Sequence, residues 1–537
     1  MNYTNKNINK FEKLAISLAS AFLFLLLYLY YKAIMPYTYG DSAFLIESVS
    51  NLAMHGDVTS RLLAQNYSTQ KLAVIDLAIY CQNGLLASQF TADPYNWLST
   101  LHAYLILYLI APVARLIGAL NALSLVTALA FSSIPYIAYV YLRKLGSSVV
   151  VSVLAAAICM IHPAWQIASS WQFYVDRLFI PLAMLYAILL HQYFTFKNES
   201  VSKFNVSIFW VLLLGVLGGL TSERNMLVVA LFSMSYALIV QTTHKRRFYI
   251  IGFAIVCFIY ALLYSHYLVG TADNARVRAG FFQYEAWIQA LKIPGLGEYL
   301  WFNLSLLLLP AVITPRLCLA VLPIVAINCI ITMGGAEKNG WATHYHSHYY
   351  GFVMAAFLIA IGEVNDKFRG KVFSFFHKYL ALFLACLTVS LTASYMHYYS
   401  TQGIYLALWD YHVRPLHLSN TRSQKEMFNN LVKPVPVGAT VTATEWGMGA
   451  WYLRGNPVTI FPLGVGLSDY IMVQAEGEAP NIKLLSAVRY DAAALDKANA
   501  CFVPLILENY KEVSREGTWV LFKKKSLEGS ISRSNNG

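Results

Sequence analysis

The run LAISLASAFLFLLLYLYYKAI, from Leu14 to Ile34, decides the class of fold. Its only charged residue is Lys32, and it is long enough to cross the hydrocarbon core of a bilayer, which takes roughly 20 residues. No cleavage site with small residues follows it, so we interpret it as a retained first helix and not as a signal peptide. Residues 1–13, which precede it, are expected to form a cytoplasmic N-terminus.

Similar apolar runs recur along the chain. Of its 537 residues, 58% are hydrophobic and 12% are charged, whereas a soluble globular chain carries about 25% charged residues. The sequence therefore predicts a polytopic α-helical membrane domain over residues 14–400, with about 11–13 transmembrane helices. The candidate spans are 14–35, 100–118, 121–142, 147–165, 177–195, 206–222, 225–241, 248–268, 300–314, 317–333, 350–362 and 378–398.

The net charge of +12 comes from short basic clusters between the apolar runs. The positive-inside rule explains such clusters better than a nucleic-acid partner does. It places the N-terminus and Arg143-Lys144 in the cytoplasm, and loop 36–97 and the chain after residue 400 outside. The N-terminus and Arg143-Lys144 must then be separated by an even number of spans, but the sequence shows three, 14–35, 100–118 and 121–142. We expect 100–118, which Pro112 interrupts, to be re-entrant or to lie along the interface.

Two regions outside the spans have structure of their own. Loop 36–97 carries apolar residues at helical spacing, from Phe44 and again from Leu72, which predicts short amphipathic helices on the membrane surface. The last part of the chain predicts a small extracytoplasmic α/β domain over 415–525, followed by a disordered tail at 526–537. The predicted strands are 437–444, 458–461, 469–473, 500–506 and 518–522, with a helix at 445–453.

Ionisable residues beside the spans are candidates for function, since a charge at the bilayer centre costs about 2.5–3.5 kcal/mol on insertion scales. The first is Asp41, just after the first span. It suits the N-cap of a helix, and it also suits a general base at the outer leaflet. The residues themselves leave both interpretations open.

Two further segments place acids beside bases. WQFYVDR, residues 171–177, ends in Asp176 and Arg177, which either pair with each other or line a cavity. TSER, residues 221–224, separates two apolar runs with almost no loop. Charges so close to a membrane are unfavourable unless they face water or a ligand. We therefore favour a functional role, with Arg224 suited to bind a phosphate through two hydrogen bonds.

Histidines alternate in WATHYHSHYY, residues 341–350. On a strand His344, His346 and His348 share a face that suits a metal, whereas on a helix only His344 and His348 align. No carboxylate or Cys completes a set, so no metal site is expected. An interfacial aromatic belt or a phosphate-facing surface is favoured. His102 is a lone interfacial His, whose simplest role is to anchor a span.

The seven Cys residues show no zinc or redox spacing. Cys81 and Cys501 lie in polar regions and would pair only if the fold brought them together. The other five lie in apolar runs and are interpreted as small core residues. No nucleotide-binding motif occurs in a suitable setting, which argues against an ATP-driven pump.

Five short motifs follow one another along the chain: Tyr39–Gly56, His102–Ala114, Trp171–Leu185, Leu220–Ala230 and His348–Ile361. Their order resembles the GT-C glycosyltransferases, the class that includes protein O-mannosyltransferases and the aminoarabinose transferase of lipid A. In that class one span leads to an outward acidic residue, a long loop and many spans, followed by an extracytoplasmic domain. The chain is most similar to a bacterial family of predicted membrane proteins, a domain of unknown function related to this class.

The resemblance implies a glycosyltransferase of the bacterial inner membrane. It would move a sugar, with inversion, from a polyprenyl-phosphate donor to a glycan, lipid or protein acceptor at the outer face. Asp41 matches the general base of the class, and His102 matches a polar residue that faces the lipid phosphate. Glu223 matches an acidic position, but Ser222-Glu223-Arg224 departs from the usual Lys and two acids. No cofactor is obligatory. The expected substrate-binding residues are His102, Asp176, Arg177, Glu223, Arg224, His346 and His348.

Two other classes of protein fit the same residues. One is a transporter or flippase of lipid-linked glycans, a class in which related halves and broken helices are common. The sequence has no internal repeat and its charges gather at one face, which favours an enzyme. The other is a non-catalytic subunit of an envelope-assembly complex, in which Asp41 would only cap a helix.

Overall fold

A computed structural model describes the chain in two compact units. The helical unit comprises Met1–Leu29, Leu98–Leu109 and Leu125–Trp409, and the mixed unit comprises Tyr30–Trp97, Ile110–Ser124 and Asp410–Gly537. Within them the described residues are 8–37, 40–66, 95–96, 102–162, 165–166, 169, 173–195, 207–240, 243–264, 301, 304–331, 347–367, 374–399, 408–409, 412, 420–486 and 492–527.

The apolar runs form helices, as their composition predicts. Up to residue 264 these are α1 (Lys10–Ile34), α2 (Gly40–His55), α3 (Leu107–Ile117), α4 (Ala119–Lys144), α5 (Val149–Ile161), α6 (Phe179–Thr195), α7 (Ile208–Gly219), α8 (Glu223–Ile239) and α9 (His244–Leu263). They continue with α10 (Leu308–Ile313), α11 (Pro315–Ile331), α12 (Tyr350–Lys367) and α13 (Ser374–Tyr399). Short 3-10 turns at Met35–Tyr37, Val175–Leu178 and Ser305–Leu307 precede α2, α6 and α10.

Several of these helices indicate a membrane protein. Within the described part of the chain, four segments are long and apolar enough to cross a bilayer: Lys10–Tyr37, Ala119–Lys144, Val175–Thr195 and His244–Leu263. Large apolar side chains on α1 and α9 are exposed, for example Phe22 (63%) and Phe248 (74%), and lipid would cover them. Six shorter apolar helices accompany the four. A total of 11–13 spans stays a prediction.

Polar contacts show which helix ends of the helical unit lie together. Glu12 of α1 accepts hydrogen bonds from Arg143 of α4, through Nε at 2.5 Å and Nη2 at 3.1 Å, and from the Tyr139 hydroxyl at 2.7 Å. Leu145, just after α4, lies against Gly362 near the end of α12. The start of α1 and the ends of α4 and α12 therefore share one end of the unit, which we call the Glu12 end.

α5 leads from the Glu12 end to the opposite one. It rises about 20 Å over its 13 residues. Near its far end, the carbonyl of Cys159 accepts a hydrogen bond from the Tyr350 hydroxyl at 3.0 Å, and the rings of His162 and Tyr350 stack at 4.6 Å. Tyr350 is the first residue of α12, so the start of α12 lies at the end opposite to Glu12.

The shortness of α3 bears on the odd number of predicted spans. α3 has 11 residues and rises about 16 Å, roughly half of the 30 Å hydrocarbon core. α1 and α4, which are joined by Glu12 and Arg143, both belong to segments long and apolar enough to cross a bilayer. That 100–118 is re-entrant or lies along the interface stays a prediction.

α12 is the central helix of the helical unit. Residues 347–364 are buried without interruption, so this stretch has neither a polar nor a lipid-facing side. Gly351 permits its close approach to α6, because a Cβ at this position would collide with the backbone carbonyl oxygen of Ile180 and lie 2.8 Å from the Cβ of Ala183. Backbone atoms cannot rotate away, so even the smallest side chain would force the two helices apart.

We therefore expect Gly351→Ala to destabilise the protein by about 1–3 kcal/mol, the range for overpacked cores. Gly252→Ala in α9 is the matched control, since a Cβ there meets nothing within 4 Å. The measurement is the midpoint of thermal unfolding in detergent. Equal midpoints for the two variants would contradict the proposed close approach of α12 and α6.

The mixed unit contains a six-stranded sheet. Its strands are β3 (Val441–Ala443), β4 (Val458–Ile460), β5 (Tyr470–Glu476), β6 (Lys483–Ser486), β7 (Tyr510–Glu516) and β8 (Trp519–Lys524). They run in the order β4-β3-β5-β8-β7, with β6 paired to β5. β3 is parallel to β4 and β5, and the other pairs are antiparallel. The helices of this unit's C-terminal part are α14 (Asn420–Leu431), α15 (Met448–Leu453) and α16 (Ala492–Asn509), and a separate strand pair is formed by β1 (Thr59–Ser60) and β2 (Tyr95–Asn96).

One predicted strand of this domain is wrong. Residues 500–506 lie inside α16, where Ala498, Phe502 and Ile506 are spaced by four residues and pack into the core beside the sheet residue Val520. A short apolar run fits a buried strand and a buried helix face equally well. The other four predicted strands and the helix at 445–453 are confirmed with shifted bounds, while β6 and β7 were not predicted.

α2 is buried on all sides over residues 42–49. It packs against α15, and the Ile460 N–H of β4 donates a hydrogen bond to Gln65 Oε1 at 2.9 Å. The expectation of an amphipathic helix on the membrane surface is therefore wrong for α2, because protein covers its apolar residues. The described part of loop 36–97 instead packs with the C-terminal domain. The second apolar group, from Leu72, lies outside the described residues.

Candidate functional site

The candidate site surrounds the turn between α7 and α8, where residues 220–222 reverse the chain. Ser222 is extended, and its Oγ accepts a hydrogen bond from the backbone N–H of Asn225 at 3.2 Å. This is the geometry of an N-cap, so Ser222 starts α8 at this position. Glu223, Arg224 and Asn225 consequently form the first turn of α8, at the positive end of its dipole.

The carboxylate of Glu223 binds the segment that leads into α3. Its Oε1 lies 2.8 Å from Nδ1 of His102, and its Oε2 accepts the backbone N–H of Ala103 at 2.9 Å. The Ile106 N–H donates to the Leu220 carbonyl at 2.8 Å and fixes the same segment against the turn. Only 4% of Glu223 is exposed, so protein donors replace water around its carboxylate.

Glu223 is the first residue of α8, at the polar end of this helix. Burial on its own raises the pKa of Glu223, because the charged form loses water. Attraction and a hydrogen bond from His102, the charge of Arg224 and the Ala103 N–H outweigh burial and bring the pKa below its usual value. Nε of Arg224 lies 3.9 Å from Glu223 Oε1.

Asn225 joins the starts of three helices. Its amide nitrogen donates to Asp176 Oδ1, just before α6, at 3.1 Å, and to Thr221 Oγ1 at 2.7 Å. Its amide oxygen lies 2.5 Å from Nδ1 of His348, just before α12. An amide oxygen only accepts, so Nδ1 of His348 carries a proton. The side chain of Asn225 thus ties α8 to α6 and α12.

His348 is buried and neutral. Burial lowers the pKa of His348; the charge of Asp176 opposes that effect, and the charge of Arg224 adds to it. With Nδ1 protonated, the neutral ring has Nε2 as its acceptor nitrogen. The structure thus gives this histidine a fixed tautomer at the start of α12.

Asp176 and Arg177 are both buried in the 3-10 turn before α6. The guanidinium of Arg177 lies 5.0 Å from the centre of the Tyr174 ring, within the range of a cation–π contact. Asp176 hydrogen-bonds to Asn225, so its role extends beyond a local pair with Arg177.

The group of residues around this turn, which we call the turn cluster, comprises His102, Asp176, Arg177, Glu223, Arg224, Asn225 and His348. Its more exposed side chains are those of Arg224 (33%) and His102 (19%), so a ligand would reach the cluster through them.

Of the residues predicted to bind substrate, His346 lies outside the described residues, and the role of the others stays a prediction. Asn225 was missed by the sequence analysis, since an uncharged residue beside Glu223-Arg224 gives no signal in the sequence.

A second buried polar group joins the other ends of the same three helices. Nδ1 of His191 in α6 lies 2.7 Å from the hydroxyl of Tyr236 in α8, and its Nε2 lies 3.5 Å from Oε1 of Glu363 in α12. Contacts at both ends show that α6, α8 and α12 run parallel. Glu363 follows Gly362, which places this group at the Glu12 end and the turn cluster at the opposite end.

Asp41 belongs to the mixed unit, as the second residue of α2, and is partly exposed. The residue before α2 lies outside the described residues, so the N-cap and the general-base interpretations of Asp41 both stay predictions. In the first turn the carboxylate still interacts favourably with the helix dipole.

Glu47 is a buried acid in α2 that the sequence analysis missed. Its Oε2 accepts hydrogen bonds from the Ser60 hydroxyl at 2.5 Å and the Leu62 N–H at 3.0 Å. Burial raises the pKa of Glu47, and the hydrogen bonds oppose that effect only in part. The two donors, Ser60 and Leu62, follow Glu47 by 13 and 15 residues, so the sequence of α2 alone does not reveal them.

No group of three or more His, Cys, Asp or Glu side chains able to hold a metal occurs among the residues that the structure describes. His344 and His346, which the strand interpretation would add to His348, lie outside them. Comparison with known proteins gives no match, either to a protein-family model or to a curated protein.

The turn cluster generates a prediction for Asn225→Asp. This change removes a donor and places a second carboxylate about 3 Å from Asp176, a buried like-charge contact that we expect to destabilise the protein by about 3 kcal/mol or more. Asp176→Asn in the same molecule restores one donor and one acceptor, so the double variant should recover part of the loss. The measurement is the midpoint of thermal unfolding in detergent. If the double variant loses the sum of the stability that the two single variants lose, the direct contact between Asn225 and Asp176 is contradicted.

Proposed function

We propose that this chain is a GT-C-type glycosyltransferase, a multi-span protein of the bacterial inner membrane. It transfers a sugar from a polyprenyl-phosphate donor to an acceptor at the outer face, where the C-terminal domain also lies. The observation that carries the proposal is the turn cluster, in which two acids, two arginines and two histidines lie around the starts of α6, α8 and α12 and before α3. Charges held at such a position are a hypothesis of function by default, and the sequence resemblance supplies the reaction class.

The turn cluster suits the phosphate of the donor. Glu223 holds Nδ1 of His102, so the opposite edge of the ring, with Nε2, is directed away from the carboxylate. Arg224 offers a planar set of donors that matches phosphate oxygens. Asp176 is held by Asn225, so it does not need the ligand for its hydrogen bonding. His102 and Arg224 would together stabilise the negative charge that grows on the departing phosphate.

The reaction is a displacement at the anomeric carbon. An acceptor hydroxyl forms the new glycosidic bond as the bond from the sugar to the phosphate breaks, so the configuration inverts. The hydroxyl proton passes to a carboxylate, and polyprenyl phosphate leaves. The resemblance assigns the base role to Asp41, and a base within reach of the acceptor contributes roughly 10²–10⁴-fold. The proposal requires no nucleotide and no obligatory metal.

Asp41→Asn tests the base. We expect it to lower transfer by about 10²-fold or more, because the amide does not accept the proton, and to leave insertion unchanged. Loss of the interaction with the helix dipole should lower stability by no more than about 1 kcal/mol. Asp57→Asn is the matched control, an exposed acid of the same loop. The assay measures release of undecaprenyl phosphate from a panel of undecaprenyl-phosphate monosaccharides in proteoliposomes supplied with glycan, lipid and protein acceptors that carry free hydroxyls. Wild-type turnover in Asp41→Asn would remove Asp41 as the base.

A transporter of lipid-linked glycans is the second candidate, and one observation favours it. Buried polar groups lie at both ends of the parallel helices α6, α8 and α12, as expected for a path that is open to each side in turn. A transferase that acts at one face needs only the turn cluster, so the two candidates assign different roles to Glu363.

Two variants separate the candidates. For a transferase, Arg224→Ala should lower the release of undecaprenyl phosphate by roughly 10²-fold, the effect of removing one donor to a developing anion. Glu363→Gln, of nearly equal shape, should leave that release within about twofold. For a transporter, both changes should stop movement of fluorescent lipid-linked sugar across vesicles, with no new glycosidic bond. Unfolding midpoints identify variants that merely misfold.

A further inference from the structure

The start of α9 concentrates positive charge. His244, Lys245, Arg246 and Arg247 are its first four residues, and Thr243 precedes them as the N-cap. The start of a helix is the positive end of its dipole, so cations at this position are repelled by the helix as well as by one another. A negatively charged ligand bound among these side chains would offset the repulsion.

Arg246 is held in place by the end of α6. Its Nη1 donates a hydrogen bond to the backbone carbonyl of Tyr193 at 2.5 Å, and its guanidinium lies 5.0 Å from the centre of the Tyr193 ring. The side chain of the preceding Lys245 is exposed. A guanidinium that the protein already positions loses less entropy when it binds a ligand than one that moves freely in solvent.

The contact with Tyr193 also shows where these cations lie in the helical unit. Tyr193 follows His191 by two residues in α6, and His191 lies beside Glu363 at the Glu12 end. The start of α9 is therefore at the Glu12 end. Because α9 is long and apolar enough to cross a bilayer, its basic start would lie at the level of the lipid headgroups.

An apolar face of α9 continues from these cations. Tyr249 follows Lys245 by four residues, and Val256 (65% exposed) and Leu263 (51%) follow at intervals of seven, so all of them share one face. Gly252 lies on this face between Tyr249 and Val256, and a Cβ at Gly252 would meet nothing within 4 Å. The face is thus open and apolar, and it suits a hydrocarbon chain.

We propose that Lys245 and Arg246 bind the phosphate of an anionic phospholipid, such as phosphatidylglycerol, in the leaflet at the Glu12 end. The phosphate oxygens would accept charge-assisted hydrogen bonds from the ammonium and the guanidinium. The acyl chains would cover the exposed face of α9. A soluble anion would use the same two cations but would leave that face uncovered, so the lipid is the occupant that fits both features. The proposal holds whether or not the chain is a glycosyltransferase.

Lipid binding to the full-length protein tests this site. The purified protein is stripped of lipid and titrated in detergent with dioleoylphosphatidylglycerol or dioleoylphosphatidylcholine, and native mass spectrometry gives the Kd of the first lipid bound. Two basic residues near a lipid headgroup contribute roughly fivefold each, so phosphatidylglycerol should bind roughly 25-fold more tightly. Lys245→Gln/Arg246→Gln should remove this preference.

The matched control is Lys10→Gln/Lys13→Gln. Both lysines are exposed at the start of α1, at the same end of the helical unit, and lead into exposed apolar side chains. This variant should keep the preference for phosphatidylglycerol. Equal losses in the two double variants would show that net charge alone attracts the lipid, and would overturn the proposed site.

Two other results would overturn the proposal. Equal binding of the two lipids by the wild-type protein would show that no anionic headgroup is recognised. Displacement of bound phosphatidylglycerol by millimolar inorganic phosphate would show that the ligand is a free anion. If Lys245→Gln/Arg246→Gln misfolds, as its unfolding midpoint would reveal, Lys245→Gln alone takes its place and should lower the preference about fivefold.

Discussion

The side chain of Asn225 connects three helices that are distant in sequence. One amide donates to Asp176 before α6 and faces His348 before α12, while the backbone N–H of the same residue is held by the Ser222 cap of α8. Within apolar surroundings these bonds have no competition from water, so the starts of the three helices are held in one arrangement. This arrangement also fixes the positions of Glu223 and Arg224, since both lie with Asn225 in the first turn of α8.

Charge balance explains why a membrane-embedded unit tolerates this cluster. Nε of Arg224 lies 3.9 Å from Glu223, and both oxygens of Glu223 and Oδ1 of Asp176 have hydrogen-bond partners. Burying one charge without a partner would cost several kcal/mol. The most exposed side chains of the cluster are those of Arg224 and His102. A guanidinium at this position suits the phosphate of the donor that the proposed transferase requires.

The sequence predicted the helices better than it predicted the contacts between them. Apolar runs identified the helices, and the cost of a charge near lipid identified His102, Asp176, Glu223 and His348 as residues to examine. Their contacts could not be predicted, because Asn225 carries no charge and the bonds join residues up to 123 positions apart.

Two failures have a physical cause in tertiary packing. The spacing of apolar residues in α2 indicates a face to be buried, but it does not say whether lipid or protein buries it, and here α15 does so. The apolar run at 500–506 fits a strand by composition, yet it lies in a helix whose residues at intervals of four pack against the sheet that other strands form. In both cases the partner, which lies far along the chain, decided the outcome.

The interior between the two polar groups bears on what the helical unit does. Phe179, Phe232 and Phe352, one from each of α6, α8 and α12, meet with ring centres 4.4 Å and 5.8 Å apart and are fully buried. Close-packed rings leave no room for water, and a charge crossing them would lose its hydration. Transport would have to separate these rings, whereas chemistry at one face leaves them in place. The packing of these three rings is thus a reason to prefer the proposed transferase, which does not require them to move.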